Sequence, residues 1–278
     1  MIDILLSTYN GEKYLREQLD SFTGQTEKEW QVVMRDDGST DSTREIFGEY
    51  MKRDKRFRMY EGKRVNVGAL RSFELLLEGS EAEHIMFADH DDKWLPEKVE
   101  HTLEAMRKAE EEYGKETPIV VFGDLTVADE DLKTRDRSFW HYTGICPDLA
   151  TKDFVTLAGS PCVTGCTMMI NKAAKAVSLP FGKHAMMHDH WIALRVTDCG
   201  GRLVKNEHND ILYRQHGRNV IGAWKEASGI ELLRYRLTHA VLILRQNIQY
   251  LKQARDIRYV GLAEYVSKKA AYKRHKNG

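Results

Sequence analysis

The stretch from His84 to Trp94 reads HIMFADHDDKW: an apolar run ends in Asp89, Asp91 and Asp92 around one histidine, His90. Carboxylates at such a place are costly to desolvate unless a cation neutralises them. If the chain is still extended at Asp89, then Asp89 and Asp91 project to one side and His90 to the other. Two oxygen donors on one side suit a hard divalent cation, Mg²⁺ or Mn²⁺, that keeps waters and shares phosphate oxygens. The competing reading is an acidic turn that caps a helix beginning near Pro96, which leaves two of the three carboxylates unexplained.

Two other polar turns have the same setting. Ser7-Thr8-Tyr9-Asn10 closes the first apolar run, and Asp36-Asp37-Gly38-Ser39 closes the second. The latter also reads as a tight turn, with Gly38 supplying the bend and Asp41 capping a helix. Later, MHDHW places Asp189 between His188 and His190, ahead of Trp191, and YRQHGRN contains His216. His184, His188 and His190 invite a separate metal reading, although Pro180 and Gly182 argue against a helix at His184. Cys146, Cys162, Cys166 and Cys199 do not make a disulfide framework for a chain this long and read as reduced thiols.

The elements that must position these groups alternate. IDILLS, WQVVMRDD, RFRMYE, HIMFAD and PIVVFGD have strand character, and helical spacing separates them. This β-α-β-α order predicts an α/β fold with helices on both faces of the sheet. In such open sheets ligands bind beyond the carboxyl ends of the strands, where the acidic turns lie. The segment from about Ala128 to Pro161 is irregular and reads as loops over a site. GCTMMIN resumes a strand, HDHWIALRVTDCGG reads as a helix, and GRLVKN and DILYRQH read as late strands. From about Ser228 a long helix is expected, with Ile230, Leu233, Leu237, Val241, Leu244, Ile248 and Leu251 forming an apolar stripe that packs on the body or on another chain.

The chain has 278 residues, with 42 Lys+Arg against 42 Asp+Glu. That balance hides an asymmetry: residues 225–278 hold 12 basic and 4 acidic side chains. An acidic body with a basic tail argues against nucleic acid as the partner and for a tail that meets something anionic, such as a membrane surface. No signal peptide or spanning segment is evident. The expected location is cytoplasmic, with peripheral contact on the inner face of the cell membrane.

Together, ILLSTYNGEKYLREQLDS, DDGSTDST, NVGALRSFELLL and FADHDDKW resemble the inverting nucleotide-sugar glycosyltransferases of glycosyltransferase family 2, with the GT-A fold. SFELLL, FADHDDKWLPEKV and YRQHGRNVIGA are most similar to the bacterial rhamnosyltransferase-like branch. The resemblance, which covers roughly residues 2–223, implies a Rossmann-like mixed sheet flanked by helices, a domain over residues 1–224; charge and apolar spacing make 225–278 a basic, amphipathic helical extension. The resemblance implies that Thr8, Tyr9, Asn10, Asp36, Asp37, Asn66, Arg71 and Asp89 bind the donor, a dTDP- or UDP-sugar. Asp89, Asp91 and His216 would hold Mg²⁺ or Mn²⁺. Asp189 would be the catalytic base, and His188 and Trp191 would face the acceptor. His90 stands where this branch usually has Gln, and His188 where many relatives have Glu. The implied reaction moves a sugar, L-rhamnose from dTDP-rhamnose, onto a surface polysaccharide or lipid-linked glycan. A silent sugar-nucleotide-binding subunit is the non-enzymatic alternative. A nucleotidyltransferase is the enzymatic one, but STYNGEKY lacks its glycine-rich basic loop. A homo-oligomer is compatible with all three.

Overall fold

The computed structural model describes residues 1–217 and 238–276. Its strands are β1 (Ile2–Thr8), β2 (Trp30–Asp36), β3 (Phe57–Met59), β4 (His84–Ala88), β5 (Lys93–Trp94), β6 (Ile119–Gly123), β7 (Thr126–Ala128), β8 (Thr134–Asp136), β9 (Met169–Asn171), β10 (Arg202–Asn206) and β11 (Ile211–Arg214). Among the described residues they form a seven-stranded sheet, β10-β6-β9-β4-β1-β2-β3, and a four-stranded sheet, β5-β11-β7-β8. In the larger sheet every pairing is parallel except those of β9, which runs antiparallel between β4 and β6.

The helices are α1 (Leu15–Thr23), α2 (Thr43–Arg53), α3 (Gly68–Gly79), α4 (Lys98–Tyr113), α5 (Phe139–Thr143), α6 (Pro147–Ala150), α7 (Phe154–Gly159), α8 (Lys172–Ser178), α9 (His188–Asp198), α10 (Ala240–Ile257) and α11 (Leu262–Lys276). The central strands are apolar on both faces, as a sheet covered by helices on both sides requires. Ile4 and Leu6 of β1 and Met86 of β4 enter one core with α1, α2 and α4. Leu5, Ile85 and Phe87 enter the other, with α3, α7 and α9. The parallel register sets Thr8 opposite Asp36 and Leu6 opposite Ala88. The three polar turns after β1, β2 and β4 therefore emerge side by side at one edge of the sheet.

Three local expectations change. GCTMMIN is a strand only over Met169–Asn171; Gly165–Thr167 is a 3₁₀ turn, closed by Thr167 N–H to Thr164 C=O and Met168 N–H to Gly165 C=O. The stretch read as loops carries β8 and three short helices, α5 to α7. Among the described residues the C-terminal helix is two helices, α10 and α11; residues 218–237, with Ile230, Leu233 and Leu237, lie outside them. The stripe packs only in part: Leu251 is buried against the body with Gln253 and Ala254, while Val241, Leu244 and Ile248 are exposed. Beside Leu251 the packed face of α10 uses an amide and a small residue, which apolar spacing does not mark.

Candidate active site

The three turns and the start of α9 open onto one cavity of about 1530 Å³. Its floor is the acidic tip after β4. Asp89 is half-buried there, and burial, then the charges of Asp91 and Asp189, push its carboxyl up to about 7. Burial alone would also raise Asp91. The hydrogen bond from His216 Nε2 to its Oδ2, at 2.8 Å, together with the neighbouring His90 and His216 rings and a backbone N–H, offsets that effect and holds Asp91 below the usual carboxylate range. His90 does not turn away as strand alternation would have it: β4 ends at Ala88, and His90 lines the same cavity, its ring so close to Gly11 that a Cβ there would sit 2.5 Å from His90 Cδ2.

Beneath them Asp92 is fully buried, and its Oδ2 has no hydrogen-bond partner. Burial, then the Asp91 and Asp89 charges, push its carboxyl well up. Asp89, Asp92 and Cys166 offer ligand atoms within 4.8 Å of one another. Burial also keeps the Cys166 thiol protonated, so the donor set here is one of hard oxygens. Crowded carboxylates with an orphaned oxygen, and an imidazole at the rim, fit a divalent cation of the Mg²⁺ or Mn²⁺ class.

Asp189 stands at the first turn of α9. Its Oδ2 accepts from Gly165 N–H at 2.9 Å and its Oδ1 from His190 N–H at 2.6 Å. Those bonds favour the ionised form, but burial outweighs them and raises the carboxyl to about 6. The glycine is needed: a Cβ at Gly165 would lie 2.5 Å from His188 Nε2. His188 is buried between Phe73 and Phe87, with ring centroids 4.0 and 5.0 Å away, and neither ring nitrogen has a partner. Burial lowers it to about 3, so it is a neutral ring in the cavity wall.

Of the expected donor residues, Thr8, Tyr9, Asn10, Asp37, Asn66 and Asp89 line the cavity. Asp37 is committed locally: its carboxylate accepts from Val67 N–H and Gly68 N–H, each at 2.8 Å, and pairs with buried Arg35. The structure does not bring Asp36, Arg71 or Trp191 to the cavity lining. Asp36 accepts from Ser39 N–H and pairs with Arg64, so it builds the turn. Arg71 lies on the outer face of α3, paired with Glu74 and Glu78. Trp191 is buried and its Nε1–H donates to Ser178 C=O. His184 and His190 do not converge with His188: the first pairs with Asp256, and the second bonds Leu157 C=O and Gln253.

Other lining residues were not singled out in the sequence. Tyr14 stacks on His216 with centroids 4.8 Å apart, and its hydroxyl donates to Glu130. Gln246 and Tyr250 reach the cavity from α10, which also braces the segment before Asp189. Gln253 is fully buried; its Oε1 accepts from Met186 N–H at 2.7 Å and its Nε2–H donates to His190 Nδ1 at 2.8 Å. Asp256 accepts from His184 N–H at 2.7 Å. The short segment leading into Asp189 is thus held by the C-terminal helix. The signal for Gln253 was its polarity at a helix position between Leu251 and Ala254.

A mixed sheet with carboxylate turns at its strand ends, one of them an Asp-x-Asp, and a carboxylate across the cavity define the GT-A class of nucleotide-sugar-binding folds. The chain belongs to glycosyltransferase family 2, whose profile matches residues 3–177. It is 32% identical over 106 residues to TuaG of Bacillus subtilis, which is named for teichuronic acid biosynthesis, covering 38% of this chain and 42% of that one. It is 30% identical over 135 residues to EpsH of the same organism, named as a glycosyltransferase, covering 49% of this chain and 37% of that one. The matched segments are thus under half the length of either relative. Among solved structures, S. aureus TarS 1–349 in complex with UDP-GlcNAc superposes with a TM-score of 0.62 at 17% identity, over 99% of this chain and 72% of that one. The mannosyltransferase PcManGT from Pyrobaculum calidifontis in complex with GDP-Man and Mn²⁺ gives 0.60 at 15% identity, over 99% and 74%. These structural likenesses are likenesses of fold. No helix among the described residues is long and apolar enough to cross a membrane.

Proposed function

We propose that the protein transfers a sugar, with inversion, from a nucleoside diphosphate to a hydroxyl of a cell-surface polysaccharide or lipid-linked glycan. The observation that carries this reading is the meeting in one cavity of Asp89, Asp91 and His216 with Asp189, close enough that the Asp189 charge raises Asp89. Asp89, Asp91 and His216 would hold the divalent cation, with Asp92 behind them. When bound, that ion supplies Lewis-acid neutralisation of the departing diphosphate. Thr8, Tyr9, Asn10 and Asn66 form the wall beside β1 and β2, on which the nucleoside would rest. Asp189 Oδ1 and Oδ2, fixed by two N–H donors, remove the acceptor hydroxyl proton as that oxygen attacks. A single carboxylate base suits one displacement and therefore inversion. Tyr14, held by Glu130, keeps the His216 ring at Asp91.

TuaG's name, which refers to a surface polymer, supports the acceptor class. UDP-GlcNAc and GDP-Man on the fold neighbours support the donor class, and Mn²⁺ on one of them supports the cation. For the sugar itself we propose L-rhamnose from dTDP-rhamnose, on the resemblance of SFELLL, FADHDDKWLPEKV and YRQHGRNVIGA alone. The test is a donor screen by thermal shift and by nucleotide-sugar hydrolysis, with and without Mn²⁺. A Mn²⁺-dependent shift with dTDP-rhamnose, and a smaller one with UDP-glucose, UDP-GlcNAc or GDP-Man, is expected. A preference for another donor overturns the rhamnose assignment; no shift with any donor overturns the transferase reading.

A further inference from the structure

The outward face of α10 has no place in the reaction above. Val241, Leu244, Arg245, Ile248, Lys252 and Arg255 share one side of the helix, and all six are exposed. At 3.6 residues per turn they fall within about 60° of one line along the helix. Val241 is 63%, Leu244 61% and Ile248 43% exposed, far more than aliphatic residues at helical spacing normally show. Other positions turn to the body: Gln246 and Tyr250 line the cavity, and Leu251, Gln253 and Ala254 are buried, although Leu242 is also 60% exposed. One helix therefore separates the cavity from an aliphatic and cationic surface. Leu262 and Val266 of the next helix are exposed too.

We propose that this face of α10 docks on the surface of an anionic lipid bilayer, so that the membrane lies beside the cavity mouth. Charge favours that occupant. The whole chain balances 42 basic against 42 acidic residues, yet residues 238–276 carry nine Lys or Arg and only Asp256 and Glu264. Asp256 is already turned to His184. A second copy fits less well. Isologous pairing would bring Arg245, Lys252 and Arg255 of both copies into one seam, which is repulsive. The other exposed large apolar residues of the described body, such as Tyr9, Met51, Val65 and Tyr113, are scattered along the sequence and supply no matching stripe. Aliphatic side chains interleaved with long cationic ones are what a helix lying in the headgroup plane requires.

The proposal deepens the transfer reading by giving its acceptor a lipid anchor, but docking itself needs no turnover. The two therefore fail separately: the donor thermal shift with Mn²⁺ reports on the site, and vesicle binding reports on this face. The test is co-sedimentation of the full chain with vesicles of phosphatidylcholine, alone and mixed with phosphatidylglycerol. The protein should pellet with the mixed vesicles, less so at high salt, and stay in solution with phosphatidylcholine alone. Lys252→Ala should weaken partitioning about fivefold, the worth of one cation near such a surface. Leu244→Glu should abolish pelleting and leave the melting temperature and donor shift as in the wild type. No pelleting with mixed vesicles, equal pelleting with both kinds, or unaltered pelleting of Leu244→Glu would overturn the proposal. So would a dimer in sedimentation velocity that Leu244→Glu splits, since the face would then belong to a second copy.

Discussion

The protonation of Asp189 is the most exposed part of the catalytic reading. A base must be ionised, so activity is present above its pKa and lost as pH falls through it. Burial raises this carboxyl from 3.8 to about 6 despite the N–H groups of Gly165 and His190. With Mn²⁺, donor and acceptor saturating, kcat should be level above about pH 7 and fall about tenfold per unit below 6. At pH 5 only about a tenth should remain, whereas a carboxylate at its ordinary value would retain nearly all. Asp189→Asn removes the basic oxygen and keeps one acceptor for the two N–H donors. It should cut kcat by about 10²- to 10⁴-fold, the usual worth of general base catalysis, and leave the donor-induced thermal shift intact. A variant that keeps a tenth of wild-type kcat, or a wild-type acid limb below pH 5, would remove Asp189 from the role.

Three further outcomes are expected. Chelation should abolish transfer and Mn²⁺ restore it. At one hundred times Kd, Mn²⁺ with nucleoside diphosphate should add about 2.7 kcal/mol of stability, a gain that calorimetry should find missing in Asp89→Asn. Gln253→Leu should lower kcat about tenfold with donor KM unchanged, because His190 and Met186 lose their brace while the donor wall is untouched. A donor KM change of similar size would contradict that placement. Arg35→Met strands the buried Asp37 carboxylate and should cost about 3–5 kcal/mol in urea unfolding, most of it recovered in the double variant with Asp37→Asn.

The sheet was legible because its strands are buried on both faces. β1, β4 and β6 are near-continuous apolar runs that end in polar residues, and those ends fixed where the turns would meet. The two-residue period of a strand did not carry through the Asp-x-Asp: β4 ends at Ala88, and Asp89, His90 and Asp91 all line the cavity. What failed did so for local reasons. Asp36 and Asp37 look equivalent in the sequence, yet Asp37 faces the cavity and Asp36 the turn, because successive side chains leave the strand end on opposite sides. Arg71 and Trp191 were placed by resemblance. Neither the outer face of α3 nor the core between α8 and α9 can be told from a site wall in one dimension.

The bracing of the base was illegible for a deeper reason. Gln253 and His190 are 63 residues apart, and no pattern of apolar spacing marks a hydrogen bond between them. An apolar stripe on the extension suggested that its hydrophobic side would pack. The chain instead buries an amide whose two ends satisfy Met186 N–H and His190 Nδ1, groups that would otherwise be left without partners in a closed wall. Leaving such groups unpaired would cost about 1–3 kcal/mol for each. The inward face of α10 therefore seats Gln253 among Leu251 and Ala254, while Val241, Leu244 and Ile248 are turned outward. These contacts cross the boundary expected at residue 224. A chain cut there would keep every carboxylate of the site and both N–H donors to Asp189, and lose the bonds from Gln253 and Asp256 to Met186, His190 and His184 beside it.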